Sequence, residues 1–398
     1  MRVRVLACVV ILLAACCPAF PEDDGPPPAL LELIARPDQV EIPCKIHFGK
    51  PELMFQQQYA VVVHGEFSHK LVEHGEVRHL QMLAKVRDGQ GRWLVGEDFD
   101  DFKIPEHLHG HDIAYSAIVY FRPGQYHLAI AIRDTESHKA NVYHEDVTIA
   151  ALPKDPFPLI DGLLPEAEFP GQVDDKRELL ALDPQMESIA LPNEKPTRLD
   201  IVLNITKRFR WDAFYRMDVQ NMLASGSVLG RFRPAKGCVR LSVIDVLRTE
   251  VVLDRFPVER LNWERLQEAI AKIDQNIVDV HVLENQKKVA QFTEGYLQRI
   301  AADKTGCATW NDPSPLVVVV SPDVVLPYGN KLDSLAPLPR NAFLYVHLGW
   351  GSAWQDGIGQ ILSSAKPQKF NCGTPREFRS ALAKIAGLIS GVGTAGPH

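Results

Sequence analysis

The stretch LDIVLNITKRFRW, Leu199 to Trp211, decides the reading of the fold. Between Leu199 and Ile205 only Asp200 and Asn204 are polar, so the segment reads as a strand buried on both faces. The polar, basic turn after it reads as the mouth of a parallel α/β sheet. In open sheets of that kind ligands sit beyond the carboxyl ends of the strands, where strand order reverses. Thr206, Lys207, Arg208 and Arg210 therefore occupy the first place to look for function.

The chain around this strand alternates. Further strands are expected at Val239 to Val246, Glu250 to Leu253, Val278 to Leu283, Leu316 to Val320 and Ala342 to Leu348, and helices at Trp263 to Ile273, Thr293 to Ala302, Trp354 to Ala365 and Pro375 to Ile389. In the last helix Phe378, Leu382, Ile385 and Ile389 share one face, with Pro375 at a first-turn position after a Thr374 cap. Such alternation argues for a mostly parallel, doubly wound sheet covered on both faces.

The amino-terminal half has another rhythm. Six short apolar runs, VEIPCKIHF, YAVVVHGEF, VRHLQMLAKVRD, AYSAIVYF, QYHLAIAIRD and VYHEDVTIAA, are separated by turn chemistry such as Asp88-Gly89-Gln90-Gly91 and Pro123-Gly124. They predict an antiparallel, Ig-like β-sandwich over residues 39–152, and the alternation from Tyr126 to Ile132 predicts one wet face there. The hairpin FRPGQYHLAIAIRD followed by VYHEDVTIA resembles the closing hairpin of exported bacterial Ig-like modules. Residues 153–196, with eight prolines and two acidic clusters, read as an ordered to semi-rigid linker to a second domain at 197–390.

Arg2 and Arg4 precede an apolar run from Val5 to Ala15, the size of a signal-peptide core and too short to span a bilayer. Residues 1–19 are thus read as an export signal. Either Leu13-Ala14-Ala15-Cys16 is a lipobox with Cys16 lipidated, or cleavage falls before Phe20. The protein is expected in the cell envelope or secreted, with the membrane reached only by a lipid anchor. At 398 residues, 46 % hydrophobic and 23 % charged, the composition is that of an ordinary globular protein. A net charge of -7 with no long run of one sign favours neither nucleic acid nor anionic lipid as partner. Export would place Cys44, Cys238, Cys307 and Cys372 where disulfides persist, and their spacing leaves all three pairings open.

Together these segments resemble a von Willebrand factor type A domain, in the divergent form of exported bacterial proteins. PTRLDIVLNITKR resembles the opening strand, CVRLSVIDVLRTEVVLDRF the second and third, LVVVVSPD the fourth and NAFLYVHLGW the fifth. ILSSAKPQKFNCGTPREFRSALAKIAGLI resembles the closing helix, strand and helix. The family's divalent-cation site implies hard oxygen ligands after the first and fourth strands. Here those positions are Asn204, Thr206, Arg208 and Asp323, an amide and a guanidinium replacing two ligands, so the resemblance implies a degenerate, metal-free site and no cofactor. It also implies that Cys238 and Cys307 precede strands flanking the first, and hence that they are bonded to each other.

The resulting expectation is a non-enzymatic interaction, adhesion or scaffold protein. Lys207, Arg208, Arg210, Asp323 and Trp350 would face a protein partner through an acidic side chain, with Arg208 standing in for the ion and held by Asp323. The alternative is an exported hydrolase or metal-dependent enzyme using His107, His109 and His111, which would share one face of a strand. Neither a nucleophile elbow nor a phosphate-binding loop follows any expected strand.

Overall fold

The computed structural model describes residues 26–68, 79–103, 113–169, 186–206, 212–262, 266, 270, 286–303, 307, 310, 313–324, 342–349 and 356–391. Among these, strands outweigh helices and fall into two antiparallel sheets, a mostly parallel one and a two-stranded parallel pair, β11 (Ile189–Leu191) with β13 (Phe232–Pro234).

The antiparallel sheets form a sandwich. One runs β1 (Gln39–Val40), β9 (Ala140–Ile149), β8 (Gly124–Asp134), β5 (His79–Asp88), β6 (Asp98–Lys103). The other runs β10 (Ala167–Glu168), β7 (Ile113–Phe121), β4 (Tyr59–Phe67), β2 (Cys44–Phe48), with β3 (Glu52–Leu53) also on β4. Val61, Val63 and Phe67 of β4 interdigitate with Leu80, Met82 and Val86 of β5 and Leu128, Ile130 and Ile132 of β8, as alternation dictates for two inner faces. The expected wet face of β8 is only partly wet. Ala129 and Ala131 are buried under helix α1 (Pro28–Leu33), whose Leu30 and Leu33, with Ile34 after it, cover the small side chains of that face.

The second half is built on β12 (Thr197–Asn204), buried along nearly its whole length. In-register parallel neighbours flank it: β14 (Gly237–Asp245) on one side and β16 (Ser314–Pro322) on the other. The full order is β15 (Glu250–Pro257), β14, β12, β16, β17 (Phe343–Leu348), β18 (Gln368–Asn371), with β15 the antiparallel edge. Leu199, Ile201 and Leu203 pack toward α2 (Asp212–Leu229) and α5 (Pro375–Ser390); Val202 packs toward α3 (Gln286–Ala302) and α4 (Gly357–Leu362). Helices thus cover both faces. A capping box starts α5, Thr374 and Glu377 satisfying each other's backbone amides, and Gly391 in the left-handed region ends it. The α2 helix falls where no helix is expected from the sequence, and the strand expected at Val278 to Leu283 lies outside the described residues.

At the amino-terminal end of this sheet the disulfide expected between Cys238 and Cys307 is present, spanning 69 residues. Cys44 and Cys372 are unbonded. Beside the disulfide a buried charge network begins on β12. Arg198 Nε donates to Asp200 Oδ2 (2.8 Å), and its terminal nitrogens cap the carbonyls of Ile300 (2.8 Å) and Asp303 at the end of α3. Arg240, opposite Asp200 on β14, donates to Asp200 Oδ1 (2.6 Å) and Asp303 Oδ2 (2.9 Å). Each buried charge is paired, which is what makes charged residues tolerable inside a central strand.

Candidate functional site

Strand order reverses between β12 and β16, so the crevice beyond their carboxyl ends is where ligand chemistry is sought in such a sheet. Asn204 ends β12 with Thr206 two residues beyond it, and Ser321 is the penultimate residue of β16 with Asp323 just after the strand. Asn204 Nδ2 donates to Ser321 Oγ (3.0 Å), joining the two strand ends directly. Thr206 Oγ1 shares its proton between Asn204 Oδ1 (2.6 Å) and Asp245 Oδ1 (3.2 Å) and accepts from the Val246 amide (2.9 Å). Burial pushes the Asp245 carboxyl up, opposed by its bonds to the Arg248 amide and Thr206.

The carboxylate expected at the site from the family resemblance, Asp323, meets a residue outside that expectation. His347, at the end of β17, places Nε2 2.7 Å from Asp323 Oδ1, with both side chains buried. The backbone geometry has room for the pair because residue 349 is glycine: a Cβ there would sit 2.6 Å from Asp323 Oδ1. Two residues earlier, and so on the same face, Tyr345 donates to Asp356 Oδ1 (2.5 Å), and Lys369 of β18 donates to Asp356 Oδ2 (2.5 Å). Burial alone would raise the Asp356 carboxyl, but the Lys369, Tyr345 and Gly359 donors outweigh it and hold it below its usual range. Burial, reinforced by that carboxylate, pushes the Tyr345 phenol well up. Asp356 also caps α4 through the Gly359 amide (2.8 Å).

The rim is therefore a chain of polar groups that satisfy one another. As a donor set for a hard cation it is poor: an amide and two hydroxyls already engaged in hydrogen bonds, and three carboxylates committed to a hydroxyl (Asp245), an imidazole (Asp323), and a phenol and an ammonium (Asp356). Among the described residues no group of three or more His, Cys, Asp or Glu is arranged to hold a metal ion. Lys207, Arg208, Arg210 and Trp350, with Cys16 and the His107, His109 and His111 segment, lie outside the described residues. The structure accordingly brings Asn204, Thr206 and Asp323 to one rim. His347, Ser321 and Tyr345 join them, signalled in the sequence only as polar interruptions of buried apolar runs.

No family model matches this chain, and no curated protein matches it in sequence. Solved structures similar to it include two of a glycosyl hydrolase family 2 member from Bacteroides cellulosilyticus, one from strain DSM 14838 and one from microfluidic crystals. Identity is 9 % and 8 %, each match covers 76 % of this chain, and the TM-scores are 0.18 and 0.19. This chain spans only 38 % and 37 % of those chains. At such TM-scores the likeness bears on neither fold nor activity. Among the described residues no helix is long and apolar enough to cross a membrane.

Proposed function

We propose that the chain is an exported, non-enzymatic interaction or scaffold protein, in which an Ig-like sandwich carries a metal-free domain of the von Willebrand factor type A kind. One observation carries the reading. The positions that would ligate a cation are an amide bonded to Thr206 and Ser321 and a carboxylate bonded to His347, so the rim is closed by its own hydrogen bonds. The strand order supports it, because it sets β12 between β14 and β16, the placement that the resemblance implies for the family's first, second and fourth strands.

A rim of this kind presents shape and charge rather than an open coordination position. The basic turn after Thr206 supplies the charge, and Arg208 meets an acidic side chain of a protein partner through two parallel hydrogen bonds. The test is a pull-down from the native envelope fraction followed by a binding assay on the recovered partner, comparing wild type, Arg208→Ala and added EDTA. Binding is expected to survive EDTA and to weaken at least tenfold with Arg208→Ala. Loss on EDTA treatment, or full retention by Arg208→Ala, overturns the proposal. Turnover in a broad hydrolase screen of the purified protein would favour the enzymatic alternative.

A further inference from the structure

Residues 153–168 lead from β9 to β10 of the sandwich, and on the way they are fastened to the second domain. On the sandwich side β10 pairs with β7, and Arg122 at the end of β7 donates to Glu166 Oε1 (2.5 Å) and to the Leu164 carbonyl (3.4 Å). On the other side the first turns of α5 take hold. Arg379 is 1 % exposed. Its Nε donates to Asp155 Oδ1 (2.7 Å), and its Nη2 bonds Asp155 Oδ2 and Asp161 Oδ1, the latter at 2.6 Å. Arg376 donates to the Pro153 carbonyl (3.2 Å).

A third element closes on the same place. The turn Met54 to Gln58 of the sandwich puts Phe55 against Phe378 of α5, ring centroids 5.9 Å apart, and Gln57 Nε2 on the Pro375 carbonyl (3.4 Å). Gln57 holds φ at 73°, a left-handed conformation that a non-glycine residue keeps only where its surroundings impose it. Phe55, Phe157, Ile160 and Leu164 belong to the same apolar core as Phe378 and Leu382, so no water layer divides the domains along this seam.

We infer that Arg379, Asp155 and Asp161 form an interdomain latch that makes the sandwich and the α/β domain one cooperative folding unit with a fixed mutual orientation. The guanidinium and its two carboxylates sit among the apolar side chains of the seam, so the charges must pair with one another: losing one carboxylate weakens the clasp, and losing both leaves a buried cation without a counterpart. α5 begins directly after the carboxyl end of β18, where Asn371 is in register with His347. The latch therefore grips the turns of α5 that lie nearest the carboxyl ends of β17 and β18. It stands whatever the polar rim binds.

The experiment is scanning calorimetry and small-angle scattering on the full chain. Wild type is expected to unfold in one transition whose van't Hoff and calorimetric enthalpies agree. The Asp155→Asn/Asp161→Asn variant is expected to show two resolved transitions and a larger radius of gyration with unchanged circular dichroism. Should that variant not fold, Asp161→Asn alone, at the more exposed of the two carboxylates, decides by the same readouts. Two transitions in wild type overturn the latch, as does a folded variant that keeps one transition and the wild-type radius.

Discussion

Replacing Cys238 and Cys307 by alanine tests how the lower edge of the parallel sheet is held. The bond closes 69 residues, from the start of β14 to the segment before β16, the two strands that flank β12. On the loop-entropy model such a closure removes about 4 kcal/mol of freedom from the unfolded chain. The native side of the comparison changes little, since the Arg198, Asp200, Arg240 and Asp303 network beside the bond is independent of it. With the whole chain unfolding as one unit, the urea m-value is about 3 kcal/mol/M or more, and the midpoint should fall by about 1 to 1.3 M. The assay is urea unfolding followed by tryptophan fluorescence on protein recovered under oxidising conditions, paired with intact-mass measurement of free thiols. A midpoint shift under about 0.5 M would refute the entropic reasoning, the shift from the full stabilisation being at least about twice as large. Four free thiols in the wild type would refute the bond itself.

Asp200→Ala should cost about 3 to 5 kcal/mol, because it leaves the Arg198 and Arg240 guanidinium groups without the carboxylate between them; a loss below about 1 kcal/mol in the same urea assay would mean Asp303 and the α3 carbonyls suffice. Asp98 gives a pH-dependent prediction. Burial, with Asp100 beside it, pushes its carboxyl from 3.8 to about 6, so between those values the folded state keeps a proton that the unfolded chain has lost. Stability should therefore fall as pH rises through that window, and Asp98→Asn, which keeps a partner for Tyr115, should stabilise by about 1 to 2 kcal/mol at pH 7 and by little at pH 4. Equal effects of Asp98→Asn at the two pH values would contradict this sign.

Much of the architecture was legible because periodicity reports which faces of a segment are hidden. The run from Leu199 to Ile205 is a central strand buried on both faces, the six amino-terminal runs include sandwich strands, and Thr374-Pro375 opens a capped helix. Local pattern fails where burial is uniform or charge is paired. From Met222 to Leu229 α2 is buried on all sides and so has no polar face to mark its period. β6 carries three aspartates and exists as a strand because it pairs along β5. Ala129 and Ala131 alternate as solvent-facing residues do, yet α1 lies on them.

The amino-acid sequence by itself determined the two kinds of secondary-structure rhythm and the absence of phosphate-binding and nucleophile-elbow motifs. Strand order decided the rest. Asp323 meets His347 across 24 residues and Arg379 meets Asp155 across 224, and neither contact leaves a trace in the spacing of its own segment. The physical reason is that periodicity encodes which face of an element leaves water, whereas the identity of what covers that face depends on how the chain is routed between elements. Only the folded order could turn a lone histidine in a buried strand into half of a rim and Arg379 on α5 into a clasp between domains.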